Sequence, residues 1–551
     1  MMYRVAELVV DSLVAQGIDR VYHVPGESFL PVLDAFHGRS EVDLVTCRHE
    51  GSAGLAAVAD AKLTGHAGVL FTSRGPGAFN AGIALHVAEQ EAIPLVMFIG
   101  QVDTPNLGRD AVQEIESAKA FGGTLKWAAR IDRAEQAAEV LARAFSTASS
   151  GTPGPVVVEL PEDVLSLAAE RESARSLGVA RAECSSDAAA DCAALIAAAL
   201  RPLLLVGGEC RTEEFRDDLR KLSEAWGLPV VATNKCQDQF ANEHPNWVGQ
   251  LGFFPSPAHV KLFSEADLFV VVGSRLGDIS SLGFQFPKRD GSQRLVHVYP
   301  DANQVGRHFA PDRAVISAAH SFARALLQQP PQNRARDAWW KLVREARSAG
   351  THWAPEHLPA EDVFGHVVTA LASRLAPDAV VTTDSGNFAG WVHRVFRMTP
   401  RNRLLGSACG AMGTGVPSGV SAALRYPGRQ VLAFCGDGGF LMNGNELATA
   451  VARNLDLKII VSNNGSYGTI RTHQQRHFPD RVSGTDLSNP DFVRLAQAYG
   501  AQGFLIERAD EAEAVVQEAM QARGPVVIEV RSAADQGLEK SVAAMRASLP
   551  A

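Results

Sequence analysis

Two polar turns near the end of the chain carry the residues best suited to chemistry. Asp437 lies in a Gly-Asp-Gly-Gly run, and Asn464 lies in an Asn-Asn-Gly run 27 positions later. Each turn follows an apolar stretch typical of a buried strand, and ligands bind at the carboxyl ends of parallel strands. Gly438 and Gly439 would let a phosphate approach the main chain, but the Asp437 carboxylate would repel a bare phosphate.

A divalent cation between the carboxylate and the phosphate would remove this conflict. Mg²⁺ prefers oxygen ligands and is commonly held by one or two protein groups together with ligand phosphates. Asp437, the side-chain oxygen of Asn464 and a main-chain carbonyl near Ser466 would supply such a set. An ordinary turn after each strand is the alternative, but the occurrence of both turns at this spacing favours the cation site.

A second carboxylate, Glu50, lies at a predicted strand-to-helix turn in the run CRHEGSAG. Because a helix N-terminus favours an ionised carboxylate, this stretch alone fits a structural first-turn Glu as well as a functional one. Competing motifs fail: Leu441 replaces the third glycine of Gly-x-Gly-x-x-Gly, and neither a P-loop Gly-Lys pair nor a Gly-x-Ser-x-Gly elbow occurs. Hydride transfer, nucleotide hydrolysis and serine hydrolysis therefore lose support.

The elements that must position these residues follow an α/β pattern. The chain has 551 residues, 46% hydrophobic and 7% aromatic, which at about 150 residues per domain indicates roughly three or four domains. Short apolar runs alternate with helical patterns, as in parallel sheets. We predict an α/β protein with three doubly wound parallel-sheet domains, at 1–170, 188–328 and 355–535, followed by a C-terminal tail, 536–551.

Twelve strands are predicted from the apolar runs. They are 43–46, 68–71, 94–99 and 155–158 in the first domain, 203–206, 229–232, 268–272 and 294–298 in the second, and 379–382, 430–434, 458–462 and 525–530 in the third. The small polar stretch 166–191 marks the first boundary. Proline pairs and charges in 328–359 predict an exposed connector that contains one helix.

Charge and cysteine content restrict the partners and the compartment. The formal net charge is −9, without a cluster of Lys and Arg, so we expect no nucleic-acid binding. None of the seven cysteines forms a Cys-x-x-Cys pair, which indicates a reducing compartment. No apolar run approaches about 18 residues and no signal-peptide core is present, so we expect a cytoplasmic protein without a membrane span.

Together these motifs resemble the thiamin-diphosphate enzymes of the acetolactate synthase, benzoylformate decarboxylase and pyruvate decarboxylase group. The likeness extends over essentially the whole chain and includes VYHVPGES, TSRGPGAFN, GAMGTGVPSG, GDGGFLMNGNELATA and SNNGSYGTIR. It implies thiamin diphosphate and Mg²⁺ as cofactors, a pyrimidine-binding first domain and a diphosphate-binding third domain. It also implies a middle domain that holds FAD, ADP or no nucleotide.

The resemblance implies a role for each matching residue. Asp437, Asn464 and the Ser466 carbonyl would bind Mg²⁺; Asn387, Gly438 and Gly439 would contact the diphosphate; Gly410 and Met412 would contact the aminopyrimidine ring; Glu50 would hydrogen-bond that ring; and Gln113 would face the reacting centre. Glu50 would come from one subunit and the metal site from another, which implies a homodimer or homotetramer with active sites between subunits.

The sequence departs from these relatives around the expected substrate pocket. Thr469 and His473 occupy the places of a Met and a Trp of acetolactate synthases, and Ile279 replaces an Arg implicated in substrate selection. Thr72 and Ser73 stand where benzoylformate decarboxylases carry an acid–base His. His473 is therefore the candidate proton shuttle, since an imidazole suits this task near neutral pH; a polar helix residue is the alternative.

The predicted function is a thiamin-diphosphate-dependent decarboxylase or carboligase that acts on a small-molecule 2-oxo acid. Hydrolysis of a diketone or decarboxylation of an acyl-CoA on the same cofactor is the first alternative. A non-catalytic homologue is the second, but the presence of Glu50, Asp437 and Asn464 argues against it. The sequence leaves open the donor, the acceptor and the presence of a regulatory subunit.

Overall fold

The chain forms three successive six-stranded sheets in which all strand pairs are parallel. The structure is a computed structural model that describes residues 3–170, 174–252, 255–332, 334–533 and 537–547. The predicted α/β class with three parallel sheets is confirmed. The domain boundaries themselves stay predictions.

The first sheet has the strand order β2-β1-β3-β4-β6-β5. Its strands are β1 (Arg20–His23), β2 (Asp43–Thr46), β3 (Gly68–Thr72), β4 (Leu95–Gln101), β5 (Trp127–Arg130) and β6 (Pro155–Pro161). The helices around it are α1 (Val5–Ala15), α2 (Leu30–Ala35), α3 (Glu50–Thr64), α4 (Gly75–Glu91), α5 (Ser117–Phe121), α6 (Ala134–Ser149) and α7 (Glu162–Leu165).

The second sheet has the order β12-β11-β10-β7-β8-β9. Its strands are β7 (Pro202–Val206), β8 (Val230–Ala232), β9 (Trp247–Gln250), β10 (Leu268–Val272), β11 (Arg294–Tyr299) and β12 (Arg313–Ile316). The accompanying helices are α8 (Ser186–Ala198), α9 (Glu213–Trp226), α10 (Pro257–Glu265), α11 (Ala319–Leu327) and α12 (Asp337–Thr351).

The third sheet has the order β14-β13-β15-β16-β18-β17. Its strands are β13 (Val380–Thr383), β14 (Arg403–Gly406), β15 (Val431–Gly436), β16 (Lys458–Asn463), β17 (Gln502–Ile506) and β18 (Val526–Arg531). Its helices are α13 (Val363–Ala372), α14 (Ala389–Val395), α15 (Gly415–Arg425), α16 (Asp437–Asn443), α17 (Leu447–Ala452), α18 (Gly468–His477), α19 (Phe492–Tyr499), α20 (Ala512–Gln521) and α21 (Leu538–Ala547).

The first and third sheets share one topology. Counted along each domain, both have the strand order second, first, third, fourth, sixth, fifth. In both, the third strand is followed by a Gly-rich turn and a helix: α4 begins at Gly75 after β3, and α16 begins at Asp437 after β15. The internal similarity suggested by the two Gly-rich turns therefore extends to the order of the strands.

Helices on both faces explain the continuous apolar runs of the strands. All seven residues of β4 and all seven of β6 are buried, as expected for parallel sheets covered on both sides. Small residues let the helices approach closely: a Cβ added at Gly54 of α3 would lie 2.5 Å from the Ala84 Cβ of α4. Small residues suit this face of α3 because bulkier side chains would push α3 and α4 apart.

The connector between the second and third sheets corrects one expectation. Its predicted helix exists as α12, but it is not simply exposed, because Trp339, Val343 and Ala346 are buried against the second domain. The Trp339 indole N–H donates to the Pro202 carbonyl at 2.9 Å. Charged residues on the other face of this amphipathic helix gave it the appearance of an exposed segment.

The predicted tail contains a helix that packs on the third domain. Ser541 of α21 donates a hydrogen bond to the Asp362 carboxylate, and Met545 belongs to the third apolar core. Within the residues that the structure describes, no helix combines the length and the apolar character needed to cross a membrane.

Candidate active site

A cavity of about 1060 Å³ lies at the carboxyl ends of the strands of the third sheet. Nine of the predicted site residues line it: Asn387, Gly410, Met412, Asp437, Gly438, Gly439, Asn464, Ser466 and His473. Ligand sites commonly occupy about 300–1,000 Å³, so this cavity has room for a large cofactor and a small substrate.

Asp437 is placed at the N-terminus of α16 by the end of β15. One carboxylate oxygen accepts the Gly438 N–H at 2.9 Å, and the other accepts the side-chain N–H of Asn489 at 2.7 Å. Burial raises the pKa of Asp437 above its usual value. Hydrogen bonds from the Asn489 side chain and from N–H groups that include those of Gly465 and Ser466 oppose this shift without cancelling it. These amides bring the turn after β16 directly against the Asp437 carboxylate.

The second turn is held in shape by its own polar groups. The Asn464 side-chain oxygen accepts the Ser466 N–H at 3.2 Å. The preceding residue, Asn463, donates from its side chain to the buried Glu529 at 2.8 Å and accepts from Asn489 at 2.9 Å. Asn489 therefore links the two turns, since it donates to one residue from each.

The donor set at the two turns fits Mg²⁺. It offers one carboxylate, one side-chain amide oxygen and one main-chain carbonyl, which are the oxygen ligands that Mg²⁺ prefers. In the described part of the chain, no group of three or more His, Cys, Asp or Glu side chains could hold a metal. Gly438 and Gly439 line the cavity beside these ligands. A Cβ added at Gly438 would lie 2.6 Å from Tyr467, and one added at Gly439 would lie 2.3 Å from Asp384.

The loop after β14 presents Met412 between two glycines with left-handed backbone. Gly410 has φ +85° and Gly413 has φ +78°, conformations that favour glycine. Asp384 accepts the N–H groups of Gly413 and Thr414 at 2.9 and 3.4 Å. The loop is thereby fixed to the end of β13, and Met412 is partly exposed to the cavity.

Helix α18 is pinned to the turn after β13. The Thr469 hydroxyl donates to the Asn387 side-chain oxygen at 3.0 Å and accepts the Asn387 N–H at 3.1 Å. Asn387 also donates to the Thr472 hydroxyl at 3.3 Å. The half-buried His473 follows on this helix, lines the cavity and stacks on His477 with ring centroids 6.3 Å apart.

Glu50 lies outside this cavity, in the first domain. It is the first residue of α3, and His49 caps the helix by accepting the Gly51 N–H at 3.1 Å. The Glu50 carboxylate accepts the side-chain N–H of Asn80 at 2.9 Å. A Cβ added at Gly77 would lie 3.1 Å from it, so a glycine at the start of α4 permits this approach.

Gln113 is also absent from the residues that line the cavity in this chain. It is exposed, has φ +64°, and its carbonyl accepts the Gly75 N–H at 2.9 Å. The described residues that line the cavity begin at Asn234, so the first domain contributes none of them. Glu50 and Gln113 therefore share a domain that is separate from the other predicted site residues.

Comparison with known proteins decides the family. Three protein-family models of thiamine pyrophosphate enzymes match the chain in order. They are the N-terminal TPP binding domain at 3–121, the central domain at 189–326 and the C-terminal TPP binding domain at 384–530. Together they span more than half of the chain. The chain belongs to the thiamine pyrophosphate enzyme family.

Relatives of this thiamine pyrophosphate enzyme match over nearly the full length. The acetolactate synthase large subunit of Parasynechococcus marenigrum is 34% identical over 95% of this chain and 87% of its own. The acetolactate synthase isozyme 2 and isozyme 1 large subunits of Escherichia coli are 31% and 30% identical, over 95% and 96% of this chain and 95% and 94% of their own. The matches support an enzyme that uses thiamin diphosphate to decarboxylate or ligate 2-oxo acids.

Several residues of this thiamine pyrophosphate enzyme's cavity region were not singled out from the sequence. Asn489 lies in a stretch without a motif, whereas Asn443 lies within the run GDGGFLMNGNELATA; each holds a site loop through its side chain. Asp384 had a usable signal, since it is a carboxylate two residues after the predicted apolar strand 379–382. Thr472 had none, because a threonine on a polar helix carries no distinctive spacing.

Proposed function

We propose that this protein is a Mg²⁺- and thiamin-diphosphate-dependent decarboxylase or carboligase that acts on a 2-oxo acid. The observation that carries the proposal is the meeting of the Asp437 and Asn464 turns at one end of the third sheet, beside the Met412 loop and on one cavity. A cation and a diphosphate would occupy the two turns, and an aromatic ring would lie against the loop.

Each group of residues would have a separate task. When bound, thiamin diphosphate supplies a nucleophilic carbon for the carbonyl of a 2-oxo acid. Asp437, Asn464 and the Ser466 carbonyl would hold Mg²⁺, and the Met412 side chain would orient the two rings. Glu50 would share a proton with the pyrimidine ring, and His473 on α18 would deliver a proton to the product.

We also propose a homodimer, or a dimer of dimers, with active sites shared between subunits. Glu50 and Gln113 belong to the first domain, and the cavity in the same chain is lined by residues from Asn234 onward. A carboxylate that must touch a ring in the cavity would therefore come from a second copy. A two-fold pair of subunits would form two equal sites in this way.

Complementation between inactive variants tests the shared site. Glu50→Gln and Asp437→Ala would each damage a different half, so a mixed dimer would contain one intact site. Random mixing in a co-expressed sample should restore about a quarter of wild-type activity. If each site were built from a single chain, the mixture would stay as inactive as the two parents.

The activity itself is tested by carbon dioxide release from purified protein. Pyruvate, 2-oxobutanoate and benzoylformate would be supplied with thiamin diphosphate, with Mg²⁺, with both and with neither, and the products would be separated as aldehydes or hydroxyketones. Release that requires both additions supports the proposal. Activity confined to oxalyl-CoA or to cleavage of diones would favour the alternatives and contradict it. Flavin absorbance of the denatured protein tests whether the middle domain holds FAD.

A further inference from the structure

A buried lysine without a counter-ion lines the cavity on the side of the middle domain. Lys235 lies in the loop after β8, is 5% exposed and has φ +59°. A residue other than glycine adopts this left-handed backbone conformation only when its surroundings enforce it. Such positions often serve a function. The Lys235 side chain crosses from the middle domain to the end of the third sheet.

The contacts of the ammonium group are all neutral. It donates to the Thr383 hydroxyl at 2.7 Å and contacts His393 Nε2 at 3.1 Å. Burial, followed by the Lys235 charge, lowers the pKa of His393 well below its usual value, so Nε2 is an acceptor. The His393 Nδ1–H donates to Gln237 at 3.3 Å. Because an ammonium has three N–H groups, one still needs an acceptor.

No described carboxylate lies within ion-pair distance of Lys235. Among the carboxylates, Asp384 has the largest electrostatic effect on the Lys235 pKa. Its oxygens, however, accept three main-chain N–H groups. Glu91 is paired with Lys62 instead. Burial lowers the pKa of Lys235 to about 8, so the group is mostly charged at neutral pH. A buried cation of this kind is costly until an anion reaches it.

Two arginines that line the cavity are engaged differently. Arg394 donates to the main-chain carbonyls of Ala349 and His352, and Arg397 donates to those of Thr351 and Arg394. These arginines hold the end of α12. Lys235 has no such bond to a carbonyl among the described residues.

The position of Lys235 separates it from the predicted diphosphate turns. Its Cδ would lie 3.1 Å from a Cβ added at Gly406, the last residue of β14. The Asp437 and Asn464 turns follow β15 and β16, on the other side of β13. Lys235 is thus beside the loop that leads to Met412, where the ring and the reacting carbon are expected.

We propose that Lys235 is a specificity-determining residue that binds the carboxylate of the 2-oxo acid substrate through its free N–H. The inference rests on the proposed function and adds the group that selects an anionic substrate. Gln237 and His393 would act as positioning residues that fix the direction of the ammonium.

Steady-state kinetics of Lys235→Met and Thr383→Val test this assignment. The first variant removes the cation, and the second removes one hydrogen bond of the same group but keeps the charge. The fastest of pyruvate, 2-oxobutanoate and benzoylformate would be the probe, and calorimetry would give the affinity for thiamin diphosphate. We expect Lys235→Met to raise KM about 10- to 100-fold, with KM of Thr383→Val within about threefold of wild type. Cofactor affinity should not change.

Three outcomes would overturn the assignment. Equal KM changes in both variants would mean that Lys235 only holds the two domains together. An unchanged KM in Lys235→Met would mean that the lysine does not bind the substrate carboxylate. A loss of cofactor affinity alone would assign the lysine to the diphosphate. Lys235→Gln, which keeps a hydrogen-bonding side chain without charge, gives the same reading if Lys235→Met does not fold. A wild-type protein that binds thiamin diphosphate but releases no carbon dioxide would refute the proposed function and, with it, the role of Lys235 in binding the substrate carboxylate.

Discussion

Gly413 donates its backbone N–H to the Asp384 carboxylate over 2.9 Å, and this bond ties the Met412 loop to the end of β13. The same glycine accepts the side-chain N–H of Asn443 at 3.0 Å. The loop is thus held by a strand on one side and by α16 on the other. Because the loop carries the predicted ring contacts, its shape should control cofactor binding.

Replacing Gly413 by alanine should damage both stability and cofactor binding. The residue has φ +78°, and an added Cβ would lie 2.5 Å from the Asn443 side chain. Gly428 is the matched control, with φ +85° and nothing within 4 Å of an added Cβ. Backbone strain should cost about 1 kcal/mol in both variants, and crowding should add about 1–3 kcal/mol in Gly413→Ala alone. Thermal melting and calorimetry with thiamin diphosphate measure the two effects; equal losses in both variants would contradict this view of the loop.

Asp384→Asn should change how stability depends on pH. Burial raises the pKa of Asp384 from 3.8 to about 6, so the folded protein binds this proton more tightly than the unfolded chain. The resulting stability is fully present below pH 3.8 and is lost as the pH rises through about 6, a change of about 3 kcal/mol. The melting temperature of wild type relative to Asp384→Asn should therefore fall between about pH 4 and 7. The exposed Asp480→Asn is the control, and a wild-type advantage that stays constant over this range would refute the prediction.

Glu50→Gln should bind thiamin diphosphate but lose most of its turnover. The substitution keeps the shape of the side chain, yet it removes the carboxylate that would share a proton with the ring. We expect a loss of about 100-fold or more in kcat with little change in cofactor affinity. Glu135→Gln removes an exposed first-turn carboxylate from α6 and serves as the control. Near-normal turnover of Glu50→Gln would refute the role.

Asp437→Ala should weaken the Mg²⁺-dependent binding of the cofactor. It removes the carboxylate of the proposed metal site, leaving the amide oxygen of Asn464 and the Ser466 carbonyl as weaker neutral ligands. Calorimetry with thiamin diphosphate at several Mg²⁺ concentrations measures the effect, and Asp480→Ala is the control. An unchanged affinity would count against the metal site.

Asn489→Ala should act on the same site indirectly. Its side chain donates to Asp437 and to Asn463, and its own oxygen is buried without a partner among the described residues. Loss of such a supporting group commonly costs about 10- to 100-fold in metal affinity. Higher Mg²⁺ should restore activity to Asn489→Ala, whereas the exposed Asn106→Ala should behave as wild type. A stability loss that Mg²⁺ does not relieve would mean a purely structural role.

The strands show where sequence patterns succeed and where they fail. All twelve predicted strands are present, with ends shifted by at most three residues. Six others were not predicted, and five of them, β5, β9, β12, β14 and β17, are edge strands. Central parallel strands are buried on both faces and form continuous apolar runs, whereas edge strands pair on one side and are short and more polar.

The sequence alone determined the three parallel sheets, the two turns at Asp437 and Asn464 and the family that shares them, because each depends on a local pattern of apolar runs, glycines and polar residues. Tertiary structure alone decided that Asn489 supports Asp437, that Asp384 holds the Met412 loop and that Lys235 reaches the cavity. Hydrogen bonds between residues tens to hundreds of positions apart leave no periodic signal in the chain. They arise only when packing of the domains brings those side chains together.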